Sequence, residues 1–362
     1  MTVDFTSFKE DVAAALVANM DSVSWMANTG LEDVALHQLM APARSLLSEG
    51  KRTRATLVLA GYSCAFSGAS PAAIHAGAAM ELYQASALVH DDVVDDSDVR
   101  RGMPAAHKRF ASDHAEAGWR GSATDFGTAA AIMLGDLLLS QSMVEFARTS
   151  EYVPAQVFTQ ASRIFHTMSA EVAYGQFLDV RAENMHTNSV DQAISTALSV
   201  INHKTVRYSI EAPLTIGAIL GGADAELLHA LGEIGTPLGE AFQLRDDDLG
   251  IFGDEATTGK PACGDIAEGK RTVLLALTLD AASSADAEWI EGICGNALTA
   301  SDVIRVRSIV EETGARRAHE QMIAERELAA NSAIAELSLH GARPAGVEMV
   351  EAIASALAAR AS

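Results

Sequence analysis

Apolar residues recur every three to four positions along most of the chain, which predicts helices over roughly 3–19, 31–48, 52–67, 72–96, 127–148, 155–184, 190–220, 224–251, 270–281, 302–313, 315–338 and 344–360. No segment sustains the period-two alternation of a half-buried strand. Several of these stretches run past twenty residues, and many carry apolar side chains on more than one face. They read as interior helices of one large bundle, so the fold class expected is all-α, a single domain over residues 1–362.

Pro71, Pro104, Pro154, Pro261 and Pro344 fall near segment boundaries, where a residue without a backbone N–H is tolerated. Pro213 interrupts a helical pattern and should kink it. The segment 117–127 is the best loop candidate and Gly250–Gly269 the second.

Composition supports the helical reading: alanine is abundant, aromatic residues are 5%, and the 362 residues hold only 8 prolines. A net charge of −22 repels a polyanion, and no basic run with interleaved aromatics offsets it, so nucleic acid is not an expected partner. Any anionic ligand must find a local basic pocket. Cys64, Cys263 and Cys294 are dispersed, odd in number and without a CxxC pair, which argues against a zinc site or a disulfide framework. The acidic N-terminus differs from a signal peptide, and no uninterrupted apolar run reaches about 18 residues. A cytoplasmic protein without a stable membrane anchor is expected.

Chemistry concentrates in two acidic helix ends. From Asp91 to Asp98 five aspartates fall in eight residues. On a helix Asp91 and Asp95 share a face, with Asp92 about 100° away. Like charges at this spacing, at the negative end of the helix dipole, are costly unless a cation joins them. Oxygen ligands select a hard ion, and one or two carboxylates per ion is the habit of Mg2+. An isolated motif of this kind is more often a solvated acidic face. Here Ala87, Leu88 and Val89 precede it, placing the acids at the mouth of an apolar interior, and Arg100 and Arg101 follow. The second cluster, Asp246, Asp247 and Asp248, is followed by Lys260 and Lys270. Carboxylates beside cations in both halves are what a metal–diphosphate complex requires. A phosphate-loop reading of Gly253–Lys260 fails, because five residues separate Gly253 from Gly259 where four are needed, and Pro261 stands where a Ser or Thr must be. The glycines at 232, 235 and 239 lack the preceding strand of a dinucleotide site.

Seven ordered motifs over about residues 45–280 resemble the trans-isoprenyl diphosphate synthase family. They are Gly50 to Arg54, Glu81 to Asp95 with Arg100-Arg101-Gly102, Leu134 to Leu138, Gly175-Gln176 with Asp179, Lys204-Thr205, Phe242-Gln243 with Asp246-Asp247, and Gly259-Lys260 through Lys270. The resemblance implies an isoprenoid synthase bundle with a central cavity, a homodimer, and three Mg2+ ions. Asp91 and Asp95 would bind two of these ions and Asp246 the third, with Asp92 and Asp247 in support. Lys51, Arg54, Gln84 and Arg101 would hold isopentenyl diphosphate. Arg100, Lys204, Lys260 and Lys270 would grip the allylic diphosphate, with Thr205 and Gln243 facing the carbon that becomes cationic. Gln176, Asp179 and His90 read as supporting hydrogen-bonding residues, and His107 has no assigned role. The family's second motif commonly ends in Asp where this chain has Gly250, so one outer carboxylate is missing; Asp248 or Asp254 is the expected substitute.

The implied reaction is head-to-tail condensation of isopentenyl diphosphate with dimethylallyl, geranyl or farnesyl diphosphate. Short-chain family members place an aromatic residue where this chain has Ser86 or Ala87. Tyr83, about 6 Å below Ala87 on the same face, is then the expected floor of the product tunnel, giving a C20 product. A farnesyl or longer-chain synthase is the alternative. A terpene cyclase needs no second diphosphate site, and a non-catalytic partner subunit would have lost aspartates from the first motif.

Overall fold

The structure is a computed structural model that describes residues 4–27, 29–68, 70–187, 189–253 and 262–359. Helices α1 (Thr6–Ser22), α2 (Gly30–Ser48), α3 (Thr53–Ala65) and α4 (Pro71–Val94) lead to a small hairpin, β1 (Val99–Arg100) and β2 (Met103–Pro104). There follow α5 (Ala106–Glu116), α6 (Ala123–Ala147), α7 (Ala155–Glu183), α8 (Val190–Val200), a π-helical stretch (Ile201–Glu211), α9 (Ala212–Leu220) and α10 (Ala225–Phe252). The C-terminal third holds α11 (Gly264–Glu268), α12 (Val273–Ala281), α13 (Ser284–Ile293), α14 (Ala300–Glu312), α15 (Ala315–Glu336) and α16 (Pro344–Ala358). The all-α expectation holds.

The departures from the sequence pattern are local. Helix α5 carries one large apolar residue, Phe110, and was therefore invisible to periodicity. Helix α13 is short, ten residues with Trp289, Ile290 and Ile293 as its large apolar side chains. Helix α6 begins at Ala123, because the Ser122 side chain accepts a hydrogen bond from the Asp125 N–H, so the loop expected over 117–127 is shorter. It is pinned by the ring of His114, which lies 5.8 Å from Trp119 and 5.2 Å from Phe126. The kink expected at Pro213 takes the form of a π-helical ladder over the eleven residues Ile201–Glu211, ending just before the proline.

Helix α4 runs through the bundle, packed against α3 and α6, with Met80, Leu82 and Val89 buried. Helix α3 also packs on α9 and α16, and α10 lies between the π stretch and α15. One core layer joins Leu57, Leu214, Ile234 and Ile334; another joins Met80, Phe146, Phe165 and Ile216. This framework brings the C-terminal ends of α4 and α10 to opposite sides of one cavity of about 1010 Å³.

Candidate active site

The first acidic motif occupies the last turn of α4, where Asp95 is the C-cap residue. Lys204, from the π stretch, reaches across with its ammonium nitrogen 3.1 Å from Asp91 Oδ1 and 2.5 Å from Asp179 Oδ2 on α7. Lys270, just after α11, stands 3.1 Å from Asp95 Oδ2 and also pairs with Glu268. The hairpin turns Arg100 back over the motif. Its Nε donates to Asp92 Oδ1 at 2.7 Å, and its Nη2 stands 3.7 Å from Asp91 Oδ2. Five carboxylates and three cations, from α4, the hairpin, α7, the π stretch and the end of α11, thus interleave at one end of the cavity.

The electrostatics follow from that packing. Burial disfavours the Asp91 carboxylate, but Lys204, Lys270 and Arg100 outweigh it and hold the group below the usual range. At Asp95 burial wins, reinforced by the Asp91 charge, and the pKa rises. Asp92 is raised by burial despite Arg100. Glu183, one turn beyond Asp179, is pushed up to about 7 by burial and by Asp179 and Asp95. Burial disfavours the charged Lys204 as well, yet Asp91 and Asp179 keep its pKa above the ordinary value.

Gly175 explains how Lys204 comes so close. A Cβ at 175 would lie 2.4 Å from the Lys204 backbone nitrogen, so only glycine lets α7 and the π stretch touch there. In the same stretch Thr205 donates to Gln243 Oε1 at 2.9 Å, and Gln243 Nε2 donates to Asp247 Oδ1 at 3.0 Å. Asp246 lines the cavity beside them. Asp247 is raised well above an ordinary carboxyl by burial and then by Asp265.

The missing last acid of the second motif has a spatial answer. A Cβ on Gly250 would fall 2.3 Å from Asp265 Oδ2, so the Asp265 carboxylate, delivered by α11, stands where a side chain at 250 would begin. Of the two expected substitutes, Asp248 does not serve. Asp248 faces away and is held by Arg316 Nε at 2.9 Å and Nη2 at 3.1 Å, while Asp254 lies outside the described residues. Lys260 lies outside them too.

Lys51, Arg54, Gln84 and Arg101 also line the cavity. Arg54 Nη2 donates to the Tyr208 hydroxyl and to Ser209 Oγ, each at 2.7 Å. Arg101 donates to the Leu46 and Glu49 carbonyls at 3.0 Å, closing the end of α2 over the Gly50 turn. Arg52, which received no role from sequence, is buried with φ 55° and pairs with buried Glu81 at 3.6 Å. Tyr208 and Ser209 were missed as well. Their spacing of four from Lys204 and Thr205 was the available signal, since residues four apart share a helical face.

The three residues assigned to product length do not wall this cavity. The Ser86 hydroxyl donates to the Gly135 carbonyl on α6, and Ala87 is half-buried outside the lining. Tyr83 stands behind Tyr208, rings 5.9 Å apart, with its hydroxyl on the Ser169 carbonyl. His90 turns to the Ile132 carbonyl and Asp136, away from the carboxylates, and His107 Nε2 lies 3.4 Å from Asp96. Gln176 is half-buried, with Nε2 lacking a hydrogen bond.

Asp91 Oδ1 and Asp95 Oδ2 are buried and face the ammonium groups of Lys204 and Lys270, each at 3.1 Å, without a well-aligned hydrogen bond; carboxylate oxygens so placed are of the kind a hard divalent ion takes. Among the described residues no three acidic, imidazole or thiol groups converge to chelate an ion alone. That suits an ion completed by phosphate oxygens and water.

Residues 37–312 match the polyprenyl synthetase family. This chain belongs to the polyprenyl synthetase family. Among curated family members, the geranylgeranyl diphosphate synthase of Sulfolobus acidocaldarius is 31% identical over 269 residues, 72% of this chain and 75% of that protein. The geranylfarnesyl diphosphate synthase of Aeropyrum pernix is 33% identical, covering 67% and 69%. Among solved family structures, the geranylgeranyl pyrophosphate synthase of Corynebacterium glutamicum, complexed with isoprenyl diphosphate and magnesium, superposes with a TM-score of 0.90 at 33% identity, over 99% of this chain and 100% of that one. The likeness extends through the C-terminal helices beyond the matched family segment.

Proposed function

We propose that this chain is a trans-prenyltransferase that condenses isopentenyl diphosphate with an allylic diphosphate, with geranylgeranyl diphosphate as the main product. The observation that carries the reading is the pair of carboxylate clusters facing each other across one cavity with cations interleaved. Similarity to synthases of C20 and C25 products supports the substrate class.

Asp91, Asp95 and Asp246 would hold Mg2+, three ions in all, with Asp92, Asp247 and Asp265 around them. Bound metal would supply charge neutralisation for the departing diphosphate. Lys204, Lys270 and Arg100 orient that diphosphate and share its charge, with Lys260 assigned the same role by its motif. Thr205 and Gln243, locked to each other, face the carbon left positive, and Lys51, Arg54, Gln84 and Arg101 hold isopentenyl diphosphate so that its double bond can attack that carbon, after which the departed diphosphate takes up the proton that is lost. Water must be kept from the cation, which it would quench.

For chain length, the rings of Tyr208, Tyr83, Phe165 and Phe146 follow one another behind Gln84 with centroid separations of 5.9, 6.3 and 4.4 Å. Such a ladder is a rigid floor. Purified protein incubated with Mg2+, isopentenyl diphosphate and each primer should release C20 product; a cyclised hydrocarbon or no turnover would refute the assignment. Tyr83→Ala should open the space behind Tyr208, which lines the cavity, and lengthen the product.

A further inference from the structure

We propose that Tyr208 is a positioning residue for isopentenyl diphosphate, its hydroxyl fixing which end of the Gln84 amide faces the cavity. The inference rests on the functional reading above. Arg54 comes from α3, Gln84 from α4 and Tyr208 from the π stretch, and the three meet only through side chains. Arg54 Nη2 donates to the Tyr208 oxygen at 2.7 Å, and the guanidinium carbon lies 4.3 Å from the ring centroid. The hydroxyl in turn donates to Gln84 Oε1 at 2.5 Å.

The proton count gives this chain a direction. A guanidinium can only donate, so the Tyr208 oxygen must accept from it. The hydroxyl has one proton, which then needs an acceptor, and Gln84 Oε1 is the one within reach. If the amide turned over, its NH2 group would meet the hydroxyl and the half-buried hydroxyl proton would lose its acceptor, a costly arrangement. Tyr208 therefore holds Oε1 away from the bound anion and leaves the two amide N–H donors for it. Without the hydroxyl, Gln84 is free to present its carbonyl oxygen, which repels a diphosphate. The ring has a separate task, its edge-on contact with Tyr83, which backs it from behind the cavity wall.

Tyr208→Phe separates the two tasks, because it keeps the ring and removes the hydroxyl. Expected is a rise of roughly ten-fold in KM for isopentenyl diphosphate, the scale of one hydrogen bond to a charged group. KM for the allylic primer should stay within about two-fold, with product length and thermal midpoint unmoved, since the ring packing persists. In the double variant with Gln84→Ala, KM should match that of Gln84→Ala alone, because the two residues act through one contact. An unchanged KM for isopentenyl diphosphate in an active Tyr208→Phe enzyme overturns the proposal, as does multiplication of the two effects or an equal rise for both substrates. A wild-type protein that turns over neither substrate overturns the functional reading itself and this inference with it.

Discussion

At position 250 the side chain that the motif pattern leads one to expect is absent, and the space beside it is already taken by Asp265 Oδ2. Restoring the common motif should therefore do harm. Gly250→Asp forces two carboxylates into one place, and the α10–α11 contact must open to relieve them. The expected outcome is a loss of roughly ten-fold or more in kcat/KM, on the scale of displacing one charge-stabilising group. Adding Asp265→Gly should return part of that loss, because one carboxylate again occupies one space; steady-state rates of the three variants at several Mg2+ concentrations decide it. The residue scale also shows what sequence could and could not reveal. Asp91 and Lys270 were legible because acidic clusters beside cations are what the chemistry demands, and Lys204 and Gln243 only because each sits in a motif of the family that the chain resembles. Asp265 as the partner of Gly250 was not, since fifteen positions of sequence separate two atoms that the fold brings into contact.

Among the elements, the end of α10 is braced from outside the cavity. Arg316, on α15, grips Asp248 through two nitrogens and lies 3.7 Å over the Phe252 ring, while Arg307, on α14, donates to the Ile251 and Gly253 carbonyls. These carbonyls are the unpaired acceptors at a helix terminus, and a guanidinium there also meets the negative end of the helix dipole. Arg316→Ala strands a nearly buried Asp248 carboxylate and should cost about 2–3 kcal/mol of stability. It should also raise the Mg2+ concentration needed for half-maximal activity, because Asp246 and Asp247 ride on the same turn. Urea titration and a Mg2+ titration of rate check the two effects separately. Element legibility tracked amphipathic length: α4, α7 and α10 were plain in the apolar pattern, whereas α5 and α13 had too few apolar residues to show one. The π ladder before Pro213 was readable only as an interruption, since hydrogen-bond register leaves no mark on composition.

Across the whole molecule, two features lie apart from the cavity. His319, on α15, is fully buried with neither ring nitrogen hydrogen-bonded, and Asp248, Arg245, Arg326 and Arg316 face it. Burial lowers its pKa to about 4 from 6.5. The unfolded chain thus takes up the proton first, and the folded state loses stability as pH falls from 6.5 toward 4, by about 2 kcal/mol between pH 7 and pH 5. In His319→Leu that part of the pH dependence should vanish from urea midpoints. The second feature is the outer face of α6, where Ile132, Met133, Met143 and Val144 are exposed, with Tyr174 and Phe177 exposed on α7. By length and composition the segment Ala123–Glu151 could cross a membrane, yet 44% of its apolar window is buried in the bundle. We propose that the exposed stripe pairs with its own copy in a two-fold dimer. Light scattering should then give twice 38.0 kDa, and Met133→Glu with Val144→Glu should reduce it to the single-chain mass.

The lysines in the cavity are already engaged before any substrate arrives, Lys204 by Asp91 and Asp179, Lys270 by Asp95 and Glu268. A cation entering alone would take the carboxylates and strand the ammonium groups among like charges. Diphosphate entering alone would draw the ammonium groups away and leave the carboxylates bare. Arriving together, the two exchange partners with their hosts and no buried charge is left over, so each must strengthen the binding of the other by the same factor. A site built this way should work as a coincidence detector: its affinity for inorganic diphosphate is expected to climb with Mg2+, and neither half of the complex should be retained well without the other.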